Sequence, residues 1–162
     1  MAKPVERFGN PALRCKAREA DFGTDDLKNI VKEMEDSLRA AKGLGLAGPQ
    51  IGILKRVFIY DLGEGIQVMI NPEMIWRSEE EIEETEGCLS MPGYDMTVSR
   101  AARVRVSARD PEGQPKTVGA EGMTARLFQH EIDHLNGVLI IDRTSPEERR
   151  EIMRKIMGSD LE

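Results

Sequence analysis

The chain has 162 residues, 40% of them apolar and 32% charged, a length and balance that suit one globular domain, 1–162, with a sizeable core. Its formal net charge of −6 opposes broad attraction to nucleic acid, so no sequence-specific nucleic-acid partner is expected. No stretch of roughly 18 apolar residues is present to cross a membrane, and the opening MAKPVERFGN lacks the apolar core of a secretory signal, so the expected compartment is the cytoplasm.

The segment TDDLKNIVKEMEDSLRAAKG predicts a helix over 24–43. Thr24 is the expected cap, Asp25 and Asp26 suit the positive end of the dipole, and Leu27, Ile30, Val31, Met34, Leu38 and Ala41 form an apolar stripe. Gly43 is the expected stop. GLGLAGPQIG follows, with four glycines in ten residues, which permits tight turns and close backbone approach to a ligand. It has neither the order of a phosphate loop nor a preceding strand to make it a dinucleotide fingerprint. Gln50 within it can donate to a developing oxyanion, or can be a plain surface glutamine in a turn.

RVFIYD and IQVMIN read as two strands joined by the turn LGEG. EEEIEETEG, with six glutamates in nine positions, reads as a charged edge strand that resists edge-to-edge pairing. ARVRVSARD alternates: Ala102, Val104, Val106 and Ala108 face one way, Arg103, Arg105, Ser107 and Arg109 the other, as a solvated face. A second helix is expected over 122–136, ending at Gly137, with Ala125, Phe128, Ile132 and Leu135 as its apolar side. A last helix starts at SPEERREIMRKIMG, with Ser145 as cap, Pro146 in the first position, Glu148 completing a capping box, and Ile152, Met153, Ile156 and Met157 buried. Short strands broken by few helices indicate an α+β fold, with antiparallel or mixed sheets packed around the helix of 122–136.

That helix carries QHEIDH, which holds both histidines of the chain, His130 and His134. Residues four apart share one helix face, so two neutral imidazoles can chelate one divalent metal ion. Glu131 flanks them and is placed to move a proton on a water, the H-E-x-x-H pattern. A catalytic site usually takes a third protein ligand. Cys88, in the irregular EGCLSMPG, is the leading candidate; Glu86 and Asp133 are alternatives, as is a carboxylate downstream among Asp142, Glu147, Glu148 and Glu151. Cys15 reads as a small buried hydrophobe, since a reducing compartment makes a disulfide with Cys88 a poor expectation.

GLGLAGPQ, EGCLS and QHEIDH, in this order, resemble peptide deformylase. RFGNPALRCKA looks like that family's N-terminal strand and turn, and GVLIIDR like its strand after the metal helix, so the likeness covers nearly the whole chain. One position departs: Gly48 stands where the family usually has alanine, from which a looser backbone is expected. The resemblance implies that Cys88, His130 and His134 hold one divalent ion, with Fe2+ native and Zn2+ or Ni2+ able to occupy the site. It implies that Glu131 takes a proton from water and passes it to the departing amine, and that Gln50 and the backbone N–H of Leu89 steady the oxyanion. The substrate would be the N-formylmethionyl end of a nascent polypeptide, and the products formate and a free N-terminal methionine. Leu44, Gly45, Leu89, Met123 and Leu127 match the methionine pocket by position, though each could be plain core. Glu84 would make the rim more polar; Arg126 would touch the substrate backbone or lie at the surface; Glu86 and Arg100 would be partners that orient ligands; Asp133 would orient a neighbour or face solvent. The basic and apolar last helix could dock on the ribosome. Two other readings are a zincin-type metallopeptidase with a carboxylate ligand, and a non-catalytic metal-stabilised module closed by Glu86 or Cys15.

Overall fold

The structure is a computed structural model that describes residues 1–160. Three helices, α1 (Leu27–Ala41), α2 (Gly122–Leu135) and α3 (Pro146–Asp160), accompany seven strands: β1 (Gly45–Ala47), β2 (Val57–Tyr60), β3 (Gln67–Arg77), β4 (Glu81–Glu86), β5 (Met96–Ala101), β6 (Arg103–Arg109) and β7 (Pro115–Glu121). Five strands form one sheet in the order β1-β2-β3-β6-β7, and β4 pairs with β5 in a second. Every pairing within these sheets is antiparallel, so the fold is α+β as expected.

The period-two pattern explains how the large sheet is covered. Phe58 of β2 packs with Phe128, Ile132 and Leu135 of α2. Its neighbours Val57 and Ile59 point the other way, into a cluster with Leu27, Met34 and Leu38 of α1. Burial on both faces is why this strand reads as a continuous apolar run rather than an alternation. Strand β6 instead buries Val104, Val106 and Ala108 and leaves Arg103, Arg105 and Arg109 exposed. A third cluster joins Leu13, Met91, Met96, Val98, Ile140, Ile141 and Ile152 around the loop that follows β4.

Several local expectations change. Asp26, not Thr24, caps α1, through Asn29 N at 3.2 Å, because Thr24 lies in a turn closed onto Asp21. Lys42, with φ of 56°, takes the left-handed position at the end of α1, not Gly43. Gly43 is needed for another reason, since a methyl group there would lie 2.6 Å from Leu89 Cδ1. Gly48 is buried, and a methyl group there would lie 2.5 Å from the Ile53 carbonyl oxygen, so packing leaves no room for alanine without a shift. The segment resembling an N-terminal strand and turn forms only a 3-10 turn, Pro11–Arg14, and a single bridge between Arg18 and Lys55. GVLIIDR contains a 3-10 turn, Ile140–Asp142, in place of a strand, because the Asp142 carboxylate accepts from Leu139 N at 2.9 Å and closes the backbone on itself. Ser145 does accept from Glu148 N at 3.1 Å, but the Glu148 carboxylate reaches Thr97 N and Thr144 Oγ1 rather than completing a capping box. Met157 is 63% exposed, whereas Ile152 is buried and Met153 and Ile156 are partly so.

One long-range tie fixes the start of the chain to β3. Asn71, at φ of 51°, accepts from Ala20 N at 2.7 Å and donates to Ala20 O at 3.0 Å. Asn tolerates the left-handed region better than most residues, and its amide satisfies both groups of one buried alanine. Asn71→Ala is expected to cost about 1–3 kcal/mol, the range for leaving buried backbone groups unpaired. Asn71→Gly should recover only the backbone part. Urea unfolding of the two variants checks this ordering.

Candidate metal centre and active site

Helix α2 begins directly where β7 ends, through Gly122 at φ of 59°. The apolar side of α2 is fixed against the large sheet, and that sets the direction of the opposite face. His130 and His134, one helical turn apart, stand there with ring centroids 4.9 Å apart. The loop after β4 brings Cys88 to the same place, with Sγ 3.3 Å from His134 Nε2. The ligand atoms of Cys88, His130 and His134 lie within 4.8 Å of one another. Glu86 and Asp133, the alternatives for the third position, are engaged elsewhere.

Glu86 is the hub of the surrounding charge network. Its carboxylate accepts from Arg100 Nε at 2.6 Å and Nη2 at 3.0 Å, from Arg126 Nη1, and meets His130 Nδ1 at 3.0 Å. Burial raises its pKa, but the hydrogen bonds with His130 and Arg100 and the Arg100 charge outweigh it and hold the carboxyl at about 2. An ionised Glu86 fixes Nδ1 of His130 as the protonated nitrogen and leaves Nε2 as the lone-pair donor. Arg100 then donates to Asp133 at 2.9 Å, and Asp133 also takes Arg143 at 2.9 Å. Asp133 is therefore a buried partner of two arginines and does not face solvent. Arg126 is committed as well: beyond Glu86 and Glu84 it donates to the carbonyls of Val98 and Ile82. Glu84 itself is exposed beside the rim, in a salt bridge with Arg126.

The donor chemistry fits a divalent cation. Burial, the largest influence on His134, pushes its pKa well below the ordinary histidine value, so the ring is the neutral form that a metal requires. Burial also opposes charge on His130, yet the Cys88 sulfur and the carboxylates of Glu86 and Glu131 draw positive charge to it strongly enough to raise it to about 10. The same negative surroundings favour a bound cation. A soft sulfur with two imidazole nitrogens suits zinc, iron or nickel and leaves the choice among them open.

Glu131 is 4% exposed, and its Oε1 has no hydrogen-bond partner in the protein. Burial is the main influence on its carboxyl and raises it, against the lowering charges of His130 and Arg100, to about 7. A carboxyl near neutrality can both take and return a proton. Its other oxygen lies against β1, where a methyl group at Gly45 would be 2.5 Å from Oε2. Gly45 lines the pocket and also makes room for Glu131. Gln50 is 2% exposed, so it is not a surface glutamine. Its Oε1 accepts from Ala47 N at 3.0 Å, which aims Nε2 at Ser90 Oγ, 3.1 Å away, and towards Cys88 Sγ at 3.8 Å. The Leu89 N–H, in the turn after Cys88, makes no hydrogen bond within the protein among the described residues.

These groups face a pocket of about 400 Å³ whose walls include Leu44, Gly45, Leu89, Met123 and Leu127. Leu127 is buried, whereas Leu44 and Met123 stand 53% and 62% exposed at the mouth. Thr85, Gly87 and Pro92 also line it. Nothing in their residue types marked them; only the folding of β4 and the Cys88 loop around the cavity does so. The downstream carboxylates Asp142, Glu147, Glu148 and Glu151 and the thiol of Cys15 do not line it.

Removing the hub separates orientation from ligation. Glu86→Ala leaves all three donor atoms but frees the His130 ring and strands Arg100. A roughly 10–100-fold loss of metal affinity is expected, the range for losing such an orienting partner. Competition with a chromophoric chelator measures it.

Residues 2–150 match the family model described as Polypeptide deformylase. A peptide deformylase of Thermotoga maritima is 41% identical over 153 residues, covering 94% of this chain and 93% of the relative. Among solved structures, a peptide deformylase from Legionella pneumophila superposes with a TM-score of 0.91 at 35% identity, covering 99% of this chain and 96% of its own. One from Synechococcus elongatus, in complex with actinonin, gives 0.88 at 38% identity, covering 96% and 87%.

Proposed function

The chain belongs to the polypeptide deformylase family and is a metal-dependent amide hydrolase that removes the N-formyl group from nascent polypeptides; we propose that its residues divide the work as follows. Cys88, His130 and His134 hold one divalent ion, which supplies Lewis acidity and lowers the pKa of a water. We take that ion to be Fe2+, which the mixed sulfur and nitrogen donors accommodate as they do zinc or nickel. The observation that carries this reading is the meeting of those three donors beside Glu131, whose Oε1 is buried without a partner.

Glu131 accepts a proton from the attacking water, whose oxygen adds to the formyl carbon. The amide side chain of Gln50 and the N–H of Leu89 donate to the oxygen that gains charge, as preorganised donors. Glu131 then passes its proton to the departing amine nitrogen as the C–N bond breaks, leaving formate and a free amino terminus. The first methionine side chain occupies the pocket of Leu44, Met123 and Leu127. A formyl carbon bears only hydrogen, so a narrow site can admit it and exclude bulkier acyl groups. Residues 1–162 act as one catalytic domain, supported by the contacts of α2 with strands of both sheets.

The compartment we infer is the cytoplasm, where the substrate is made; both cysteines are free, and no helix among the described residues is long and apolar enough to cross a membrane. Docking on the ribosome through α3 is supported by its exposed Arg150 and Arg154. Arg150→Glu with Arg154→Glu should weaken co-sedimentation with ribosomes at low salt while formate release from a short peptide stays at the wild-type rate. Unchanged co-sedimentation removes the docking role.

Metal-loaded protein is expected to release formate from formyl-Met-Ala-Ser. Glu131→Ala should keep a full complement of metal and lose turnover by several orders of magnitude; loss of the metal would mean that Glu131 is misassigned. Cys88→Ala should lose both metal and activity, whereas a metallopeptidase with a carboxylate ligand would keep both. Gly45→Ala, which presses on the Glu131 carboxylate, should retain metal and lower kcat by roughly 100-fold, the scale for misplacing a catalytic group by about 1 Å.

A further inference from the structure

We infer that the cavity behind the Arg100–Asp133 pair, between β3, the small sheet and the end of α2, is a binding site for a phosphate-class oxyanion. It is separate from the metal centre, and the inference does not depend on how the catalytic residues divide their work.

The cavity has a volume of about 190 Å³ and shares no lining residue with the pocket at the metal. Its buried walls include Arg100, Gln129 and Asp133, and their polar atoms are already spent within the protein. Arg100 gives all three of its nitrogens to Glu86 and Asp133. Gln129 bonds Ala101 N, Ala101 O and Ala125 O. Both Asp133 oxygens accept from arginines. The carbonyls at the end of α2, which would repel an anion, are engaged too. Asp133 O accepts from Asn136 N and Val138 N, His134 O from Gly137 N, and Leu135 O from Ala17 N and Arg56 Nη1.

What remains unspent around the cavity is chiefly donors. Arg143 turns Nε and Nη2 to Asp133 and keeps Nη1 without a partner among the described residues. The Asn136 amide and the whole Arg77 guanidinium also have none among them. Strand register sets Arg77 opposite Val104, which is 1% exposed and packs with Phe128 and Ile132 of α2. Residues paired across strands share a face, so Arg77 stands on the side of the sheet that α2 covers, exposed at the mouth of the cavity and without a counter-ion. Guanidinium groups present planar sets of N–H donors that match the oxygens of phosphate. One lining carboxylate opposes an anion: Glu81, which is exposed and accepts from Ser99 Oγ at 3.2 Å, has no arginine against it. Asp133 adds little, because its charge is shared between Arg100 and Arg143. Two guanidiniums with free N–H groups against one exposed carboxylate favour an anionic guest.

The test is calorimetric titration of inorganic phosphate, and in a second arm of glycerol phosphate, into the metal-loaded, full-length protein at an ionic strength held constant with chloride. Saturable binding of one anion per chain is expected. Arg77→Ala should weaken it roughly tenfold or more, the scale for losing a charge-assisted hydrogen bond. Glu81→Gln, on a different strand, should tighten it by removing the opposing charge. Arg105→Ala takes the same charge as Arg77→Ala, but from the exposed face of β6, and should leave the affinity at the wild-type value. Tighter binding of glycerol phosphate than of inorganic phosphate would support the site with an organic phosphomonoester as its occupant; the reverse order would support it with free phosphate. Absence of saturable binding by either anion overturns the proposal. So does binding that Arg77→Ala and Glu81→Gln both leave unchanged, which would place the anion at the metal or elsewhere on the surface.

Discussion

A buried carboxylate organises this molecule. Glu86 lies at the end of β4, directly before the turn that delivers Cys88, and it gathers Arg100 of β5 together with Arg126 and His130 of α2. Arg100 extends the network to Asp133 and so to Arg143, beyond the end of α2. The small sheet, the metal helix and the chain that leaves it are thus locked by one continuous set of charge-assisted hydrogen bonds. Burying such charges contributes little net stability, yet breaking a buried pair on one side typically costs about 3–5 kcal/mol. The network is better understood as an orienting device: it sets which nitrogen of His130 carries a proton, and it holds the cysteine loop at a fixed distance from the helix.

Around that frame, absence of side chains matters as much as their presence. The chain from the end of α1 into β1 passes so close to the site that Gly43 makes room for the Leu89 side chain and Gly45 for the Glu131 carboxylate. The first allows the loop bearing Leu89, the proposed oxyanion donor, to close down; the second lets a carboxyl sit buried and unbonded on one oxygen. Burial raises that carboxyl to about 7, which suits the proposed role of taking and giving a proton. The glycine-rich segment therefore serves close packing against the Cys88 loop and α2.

Much of this was legible in the residues themselves. The i, i+4 spacing of the two histidines on an apolar-faced helix placed them together, because helix geometry is local and repeats. Cys88 is the leading candidate for third ligand by loop character alone, with Glu86 and Asp133 as alternatives; the structure engages those two carboxylates with Arg100, Arg126 and Arg143, which the sequence does not announce. Gln50 could not be told from a surface glutamine, since its aim depends on a hydrogen bond from Ala47 that the sequence does not announce. The misread pieces have the same cause. Thr24 and the Glu148 capping box each followed a sound local rule, and the GVLIIDR strand followed the family likeness; each lost to a competing contact: the turn at Asp21, the reach to Thr97, and the closure of Asp142 on Leu139. At Gly48 an added methyl group would meet the carbonyl oxygens of Ile53 and Lys55, a close approach that the sequence does not announce.

The account stands on one thiolate and two imidazoles meeting at a single ion. X-ray absorption at the metal edge of the anaerobically purified protein reads that donor set directly. One sulfur scatterer per ion, with the multiple-scattering pattern of two imidazoles, is the expected spectrum. A coordination sphere of nitrogen and oxygen alone, unchanged by Cys88→Ala, would contradict it.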